Sequence, residues 1–203
     1  MKRLKYYANL ARLAMGASLL IGLGDYVLLK IGEPVGPFLF AFGLLGVCVL
    51  GLNLFTGKCG FWFEDGISVV DLLIILAVNL VAGYGFGALF SMMDGAVVDV
   101  AVGKVALWDC SLAFFLKSAM CGAIMYLAVE LYRSGTKLGI LLGVPLFIFS
   151  GFQHSIANVI TMGIAGAFSW TVLLCALGNL VGALAAWSLC CGITIKLPKK
   201  KLE

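Results

Sequence analysis

Apolar residues dominate this chain in six long blocks, roughly 7–30, 36–63, 67–92, 111–133, 138–165 and 168–195. Each meets the length of about 20 residues that a helix needs to cross a bilayer. The segments between them are short, except 93–110. That one alternates Asp94, Asp99, Lys104 and Asp109 with apolar residues, which predicts an amphipathic piece lying on a surface. Two blocks are interrupted. "LNLFTGKCG" (52–60) brings Asn, Thr, two Gly and Lys into the second block, and "SGFQHSIAN" (150–158) does the same in the fifth, five residues after Pro145. Residues so poorly suited to a lipid-facing helix predict broken second and fifth helices, because irregular backbone at membrane depth is tolerated only inside protein or around a cavity.

The interruptions recur. Phe55-Thr56 and Gln153-His154 are 98 residues apart, while "NLVAGYGFG" from Asn79 and "NLVGALAAW" from Asn179 are 100 apart. Three spans separate equivalent points, so the two halves would be inverted in the membrane, a 3+3 arrangement in which broken helices meet near the midplane. The expected organisation is one transmembrane transport domain over 1–203, with repeat 1 at about 7–92, repeat 2 at about 111–195, and short termini.

Composition supports the membrane reading. The chain of 203 residues is 63% hydrophobic and 12% charged, and its mean hydropathy is +1.11. That charge is about half what a soluble domain carries. The 26 glycines suit close helix contacts in a bilayer. Lys2, Arg3 and Lys5 precede the first span, Arg133 and Lys137 bracket the turn after the fourth, and Lys196 and Lys199–Lys201 follow the sixth. The other side holds Lys30 and Lys104 against four acids. The positive-inside rule then places both termini in the cytoplasm, with the protein in the inner (plasma) membrane. It makes the basic tail a topology signal, not a nucleic-acid surface. MKRLKYY reads as a cytoplasmic flank, since no small-residue cleavage site follows it. The seven cysteines form no metal-ligand spacing, so neither a metal nor another cofactor is expected.

His154 is the one histidine of the chain. An ionisable group at the centre of a bilayer points to function. The plainer reading is a neutral imidazole capping a backbone carbonyl freed by the helix break. Thr56, from the other interruption, is its natural polar partner across the pseudo-twofold axis. Phe and Leu residues surround both, and a polar point between apolar constrictions is what a selective pore requires.

"LFTGK" (54–58), "FLKSAMCGAIMYLAV" (115–129), "GFQHSIANV" (151–159) and "LGNLVGA" (177–183) resemble the formate/nitrite transporter family, in order and over about nine-tenths of the chain. The resemblance implies an aquaporin-like protomer of six transmembrane helices, usually in pentamers with one pore per protomer, passing small monovalent anions or their conjugate acids. It assigns His154 to the central histidine and Thr56 to the loop breaking the second span. Phe147 and Phe40 take the outer constriction, with Leu44 one turn further in. Leu54 and Phe55 take the inner constriction, with Met125 facing them, and Gly122 stands where many relatives have a pore-lining asparagine. Lys104 falls near a vestibule lysine, and Lys58 replaces a common Asn or Ser, adding positive charge. Gln153 stands where several relatives have a glutamate, so no fixed negative charge adjoins His154.

The function expected is a channel or proton-coupled transporter for a weak-acid anion, with formate first and hydrosulfide or nitrite next. Protons, the lipid bilayer and further copies of the chain are the other partners. Lysines draw the anion in, and hydrophobic rings exclude a hydrated charge, whose burial costs far more than that of a neutral acid. Either the anion takes a proton near His154, or His154 supplies compensating positive charge; a neutral imidazole at rest suits both. Two other classes compete. A neutral-solute pore of aquaporin type would want an Asn-Pro-Ala pair, which is absent. A membrane electron-transfer subunit would ordinarily need paired axial histidines. No acid/base dyad of an enzyme is visible.

Overall fold

The computed structural model describes residues 2–190 and is entirely helical, with no strand among the described residues. Among the described residues nine α-helices follow one another: α1 (Lys2–Ile31), α2 (Val35–Val49), α3 (Phe55–Lys58), α4 (Val69–Ser91), α5 (Gly95–Val105), α6 (Leu112–Arg133), α7 (Leu138–Phe149), α8 (Ser155–Ala165) and α9 (Thr171–Cys190). A 3-10 turn, Cys59–Phe61, continues α3. Four helices, α1, α4, α6 and α9, are long and apolar enough to span a bilayer, and α2, α7 and α8 are shorter apolar pieces. The end of the expected sixth block, 191–195, and the basic tail lie outside the described residues.

Both interruptions break their helices, and the backbone explains how. Helix α2 ends at Gly51 (φ 64°) and α7 at Gly151 (φ 66°), a left-handed conformation that costs glycine little. The N–H of Gly51 bonds to Cys48 and that of Leu52 to Val47. Gly151 to Ile148 and Phe152 to Phe147 repeat this pattern. These paired bonds satisfy carbonyls that a helix end would leave open. Pro145 sits within α7 and does not end it.

The chain then runs extended to Leu54 and His154, which precede α3 and α8. Asn79 on α4 accepts from the Phe55 N–H (2.8 Å) and donates to the carbonyls of Asn53 (3.1 Å) and Ala14 (2.8 Å). Asn179 on α9 accepts from the Ser155 N–H (2.9 Å) and donates to those of Gln153 (2.8 Å) and Ser118 (2.8 Å). Gly51, Leu54, Phe55 and Asn79 thus correspond to residues 100 positions later. This corrects the 98-residue register expected for the interruptions: the counterpart of His154 is Leu54, not Thr56.

Packing also repeats. Helix α1 packs on α2 and α4 as α6 packs on α7 and α9, and α2 meets α7 across the two halves. The inner pieces cross over: α8 packs on α4 and α5, and α3 with its 3-10 turn packs on α6 and α9. The segment 93–110 carries α5, capped by the Asp94 side chain, which accepts from the Ala96 N–H. Its buried residues are Val97 and Ala101.

A candidate pore

The two interruptions meet in the protein interior. His154 is 2% exposed, and its Nε2 lies 2.8 Å from the Thr56 hydroxyl, 98 residues away in sequence. Its Nδ1 accepts the Ala157 N–H at 3.1 Å, capping α8. A neutral imidazole has one N–H and one acceptor nitrogen. Since Nδ1 accepts, the proton of the neutral ring sits on Nε2 and points at Thr56. The backbone group that His154 caps is therefore an N–H, not the carbonyl of the plainer reading.

An aromatic column adjoins the imidazole. The Phe147 ring stacks on that of His154 (centroids 5.8 Å apart, planes 24° from parallel), and Phe40 meets Phe147 edge-on at 6.1 Å. Both phenylalanines are buried. Gln153 turns its side chain into the break, donating to the Gly151 carbonyl (3.0 Å) and accepting from Asn158 (3.0 Å). The Ser155 hydroxyl, buried beside them, has no partner among the described residues.

Two cavities flank this layer. On the α5 side a cavity of about 370 Å³ is lined by Phe40, Phe147, Gln153, His154, Lys104 and Asp25 among others. On the opposite side one of about 220 Å³ is lined by Leu44, Leu54, Lys58, Phe61 and Arg133 among others. Phe40 and Leu44 are one turn apart on α2, a rise of about 6 Å, yet line different cavities. Phe55, Thr56 and Met125 are buried without lining either cavity.

Gly122 requires a correction. It does not line either cavity: a β-carbon built there would overlap the backbone carbonyl of Asn179. Gly182 on α9 approaches the Ala119 carbonyl in the same way. These two glycines let α6 and α9 touch backbone to backbone, so a pore-lining asparagine at 122 has no room.

The charges around the cavities divide unevenly. Lys30 pairs with Asp94 at 3.0 Å, and hydrogen bonding to that ammonium holds the Asp94 carboxyl below the usual carboxylate range. Lys104 is the basic residue on the lining of the α5-side cavity. On the opposite side Arg133 pairs with Asp65 at 2.9 Å and lies over the Phe61 ring at 4.2 Å, leaving Lys58 without a salt bridge among the described residues. Sequence reasoning used Arg133 only as a topology marker and did not weigh Asp25. Asp25 is 2% exposed on α1, and its Oδ2 accepts the Thr161 hydroxyl at 2.8 Å. An aspartate with apolar residues on either side of "LGDYVL" was the available signal.

Two cavities separated by a thin aromatic and aliphatic barrier, within a bundle of apolar helices, define the class: a multi-pass membrane protein of the channel or transporter type. No family model matches the chain. It is 30% identical over 184 residues to an uncharacterized transporter, YrhG, of Bacillus subtilis (strain 168), covering 75% of this chain and 68% of that protein. It is 25% identical over 209 residues to a formate-nitrite transporter of Plasmodium falciparum (isolate 3D7), covering 81% and 68%. Among solved structures, a pentameric formate channel with formate bound superposes with a TM-score of 0.75 at 19% identity, covering 91% of this chain and 96% of that one. An FNT family ion channel superposes at 0.62 with 25% identity, covering 90% and 92%. The chain belongs to the formate/nitrite transporter family.

Proposed function

We propose that this protein passes a small weak-acid monovalent anion, formate first and hydrosulfide or nitrite next, between the two cavities through the barrier at His154. The observation that carries the reading is the Thr56–His154 contact at 2.8 Å, which unites the two interruptions at a buried point between cavities. In this reading α2 with α3, and α7 with α8, are single broken spans. They and the four long helices make six, in two inverted halves. The duplicated Asn79 and Asn179 contacts support that repeat. Both termini face the cytoplasm, the membrane is the inner one, and the α5-side cavity is the outer vestibule. Five copies assemble in a ring, each with its own pore; a native mass giving a monomer or tetramer would count against this.

The geometry suggests how the barrier selects. Lys104 attracts the anion into the vestibule, and Lys58 does so on the other side. Phe40, Phe147, Leu44 and Leu54 offer nothing to replace a hydration shell, so a hydrated ion is held back. At the barrier the anion finds the Nε2–H of His154 and the Thr56 hydroxyl, two donors of which the first now bonds to the oxygen of the second. Reorienting both toward the anion provides hydrogen bonds where water is absent.

The test is uptake of formate, nitrite, hydrosulfide and lactate into proteoliposomes, in parallel at two pH values, for wild type, His154→Phe and His154→Asn. Wild type is expected to take up at least one of these anions. His154→Phe should cut that uptake strongly with the assembly intact, and His154→Asn should keep part of it. Rates and pH profiles unchanged in His154→Phe would reduce the histidine to a helix cap. Permeation of glycerol with none of these anions would overturn the proposal.

A further inference from the structure

His154 is poorly arranged to give a proton away. In the tautomer described above its only N–H is on Nε2, and surrendering that from a neutral ring would leave an imidazolate, which a weak-acid anion is far too feeble a base to produce. Protonating the ring first would place a hydrogen on Nδ1, where the Ala157 N–H already donates, and would undo the cap of α8. If the permeant anion crosses as its acid, another group must supply the proton.

The α5-side cavity contains one. Asp25 lines it together with His154, Ala157, Asn158 and Thr161, a stripe at helical spacing along α8. Thr161, the donor to Asp25, is seven residues beyond His154, about 10 Å along the helix axis. The carboxyl is 2% exposed, and no cation lies within salt-bridge distance of it among the described residues. A carboxylate buried without a pair is costly, and ionisable groups in such positions tend to mark proton or ion paths. The other charged or titratable side chains on the cavity lining are Glu33 in the turn after α1, Lys104 on α5 and His154 at the N-cap of α8. Helices α2 and α4, also packed on α1, bring no titratable side chain to it.

We propose that Asp25 is the proton-loading group of the vestibule, handing its proton to the weak-acid anion before the barrier. This rests on the anion-transport reading above. The Asp25 O–H bond breaks and a bond from that proton to the anion forms, giving the neutral acid and an Asp25 carboxylate. Thr161 and the Lys104 charge on the same cavity lining support the carboxylate until it regains a proton from the outer solution by way of the vestibule. One proton and one anion cross together, with no net charge moved. His154 and Thr56 then serve the acid as hydrogen-bonding partners, not as its proton source.

The experiment compares wild type, Asp25→Asn, Asp25→Glu and Lys104→Met in proteoliposomes. It measures uptake of the anion that wild type transports, internal acidification, and current, over outer pH of about 5 to 8. Wild-type uptake should rise with outer acidity and carry protons in with it. Asp25→Asn should lose that acid stimulation and the accompanying acidification while retaining any electrogenic anion flux, and Asp25→Glu should restore both. Lys104→Met removes the cation that supports the carboxylate, so coupled uptake should persist to higher outer pH. Infrared difference spectra give a readout independent of transport: a carboxyl C=O band that titrates in wild type and is missing from Asp25→Asn. Where Asp25→Asn fails to assemble, Asp25→Glu and Lys104→Met decide. Wild-type transport whose pH profile is the same in every assembled variant overturns the proton-loading role and leaves the pore reading standing. A wild-type protein that moves none of the anions overturns both.

Discussion

Removing one side chain should test whether the broken helices are held by the duplicated asparagines. In Asn179→Ala the Ser155 N–H loses its acceptor at 2.9 Å, and the carbonyls of Gln153 and Ser118 each lose a donor at 2.8 Å. The two carbonyls have other options: Cys175 also donates to Gln153 at 3.3 Å, and Ser118 lies within a helix. Their loss is worth about 0.6 kcal/mol each, the average for side-chain hydrogen bonds between membrane helices. The N–H is different. It opens α8, has no preceding turn to bond to, and is buried, so leaving it unpaired costs about 1–3 kcal/mol. The sum is about 3 kcal/mol. It should appear as reduced stability in reversible unfolding of the protein in mixed micelles, followed by circular dichroism. Asn79→Ala should lose a similar amount, since its contacts repeat the set. A loss below about 1 kcal/mol in both variants would refute the argument, because even the unpaired N–H alone should exceed that.

Phe147→Ala removes the ring that stacks on His154 and meets Phe40, so anion leak should rise and selectivity fall in the uptake assay, without flux being abolished. Loss of all transport by an intact assembly would assign Phe147 something other than gating. Gly122→Ala should destabilise by about 1–3 kcal/mol, the usual result of forcing atoms into a packed contact, because its β-carbon would overlap the Asn179 carbonyl. Stability equal to wild type in the same unfolding assay would mean that α6 and α9 are not held this close.

The sequence made the breaks legible because polar residues and glycines within apolar blocks have few other uses. Gly51 and Gly151 carry the left-handed turns, and His154 meets Thr56 as the pattern implied. The register was harder. Aligning the two conspicuous polar residues gave 98, whereas backbone geometry aligns the less conspicuous Leu54 with His154. Leucine at that position leaves no chemical mark by which to recognise it. Gly122 was assigned to the pore by resemblance alone, and one sequence does not show that α9 approaches α6 backbone to backbone at that position. Asp25 lies six residues before the end of α1, close enough to Lys30 to pass for a residue near the membrane surface. Only the fold of α8 over α1 reveals that it is buried beside the same cavity as the histidine.

The duplicated frame has a consequence for direction. Gly51 and Gly151 turn the chain alike, and Asn79 and Asn179 hold the two breaks alike, so two identical half-sites would give a barrier with equivalent sides. The helix-capping residues remove that equivalence. Leu54 closes the opposite cavity with an aliphatic side chain and makes no side-chain cap, whereas His154 caps α8 and faces the α5-side cavity. Phe55 and Ser155 differ in the same sense, apolar against polar. The buried carboxyl of Asp25 adds to the side that already has the imidazole. On the opposite side the acid on the cavity lining, Asp65, is tied to Arg133. Two breaks alike in their turns and asparagine contacts therefore carry chemically different side chains. An anion arriving from the α5 side meets titratable groups before the aromatic barrier, while one arriving from the other side meets fixed positive charge and then leucine. Proton coupling, where it occurs, should accordingly depend on the pH of the α5 side more steeply than on that of the other.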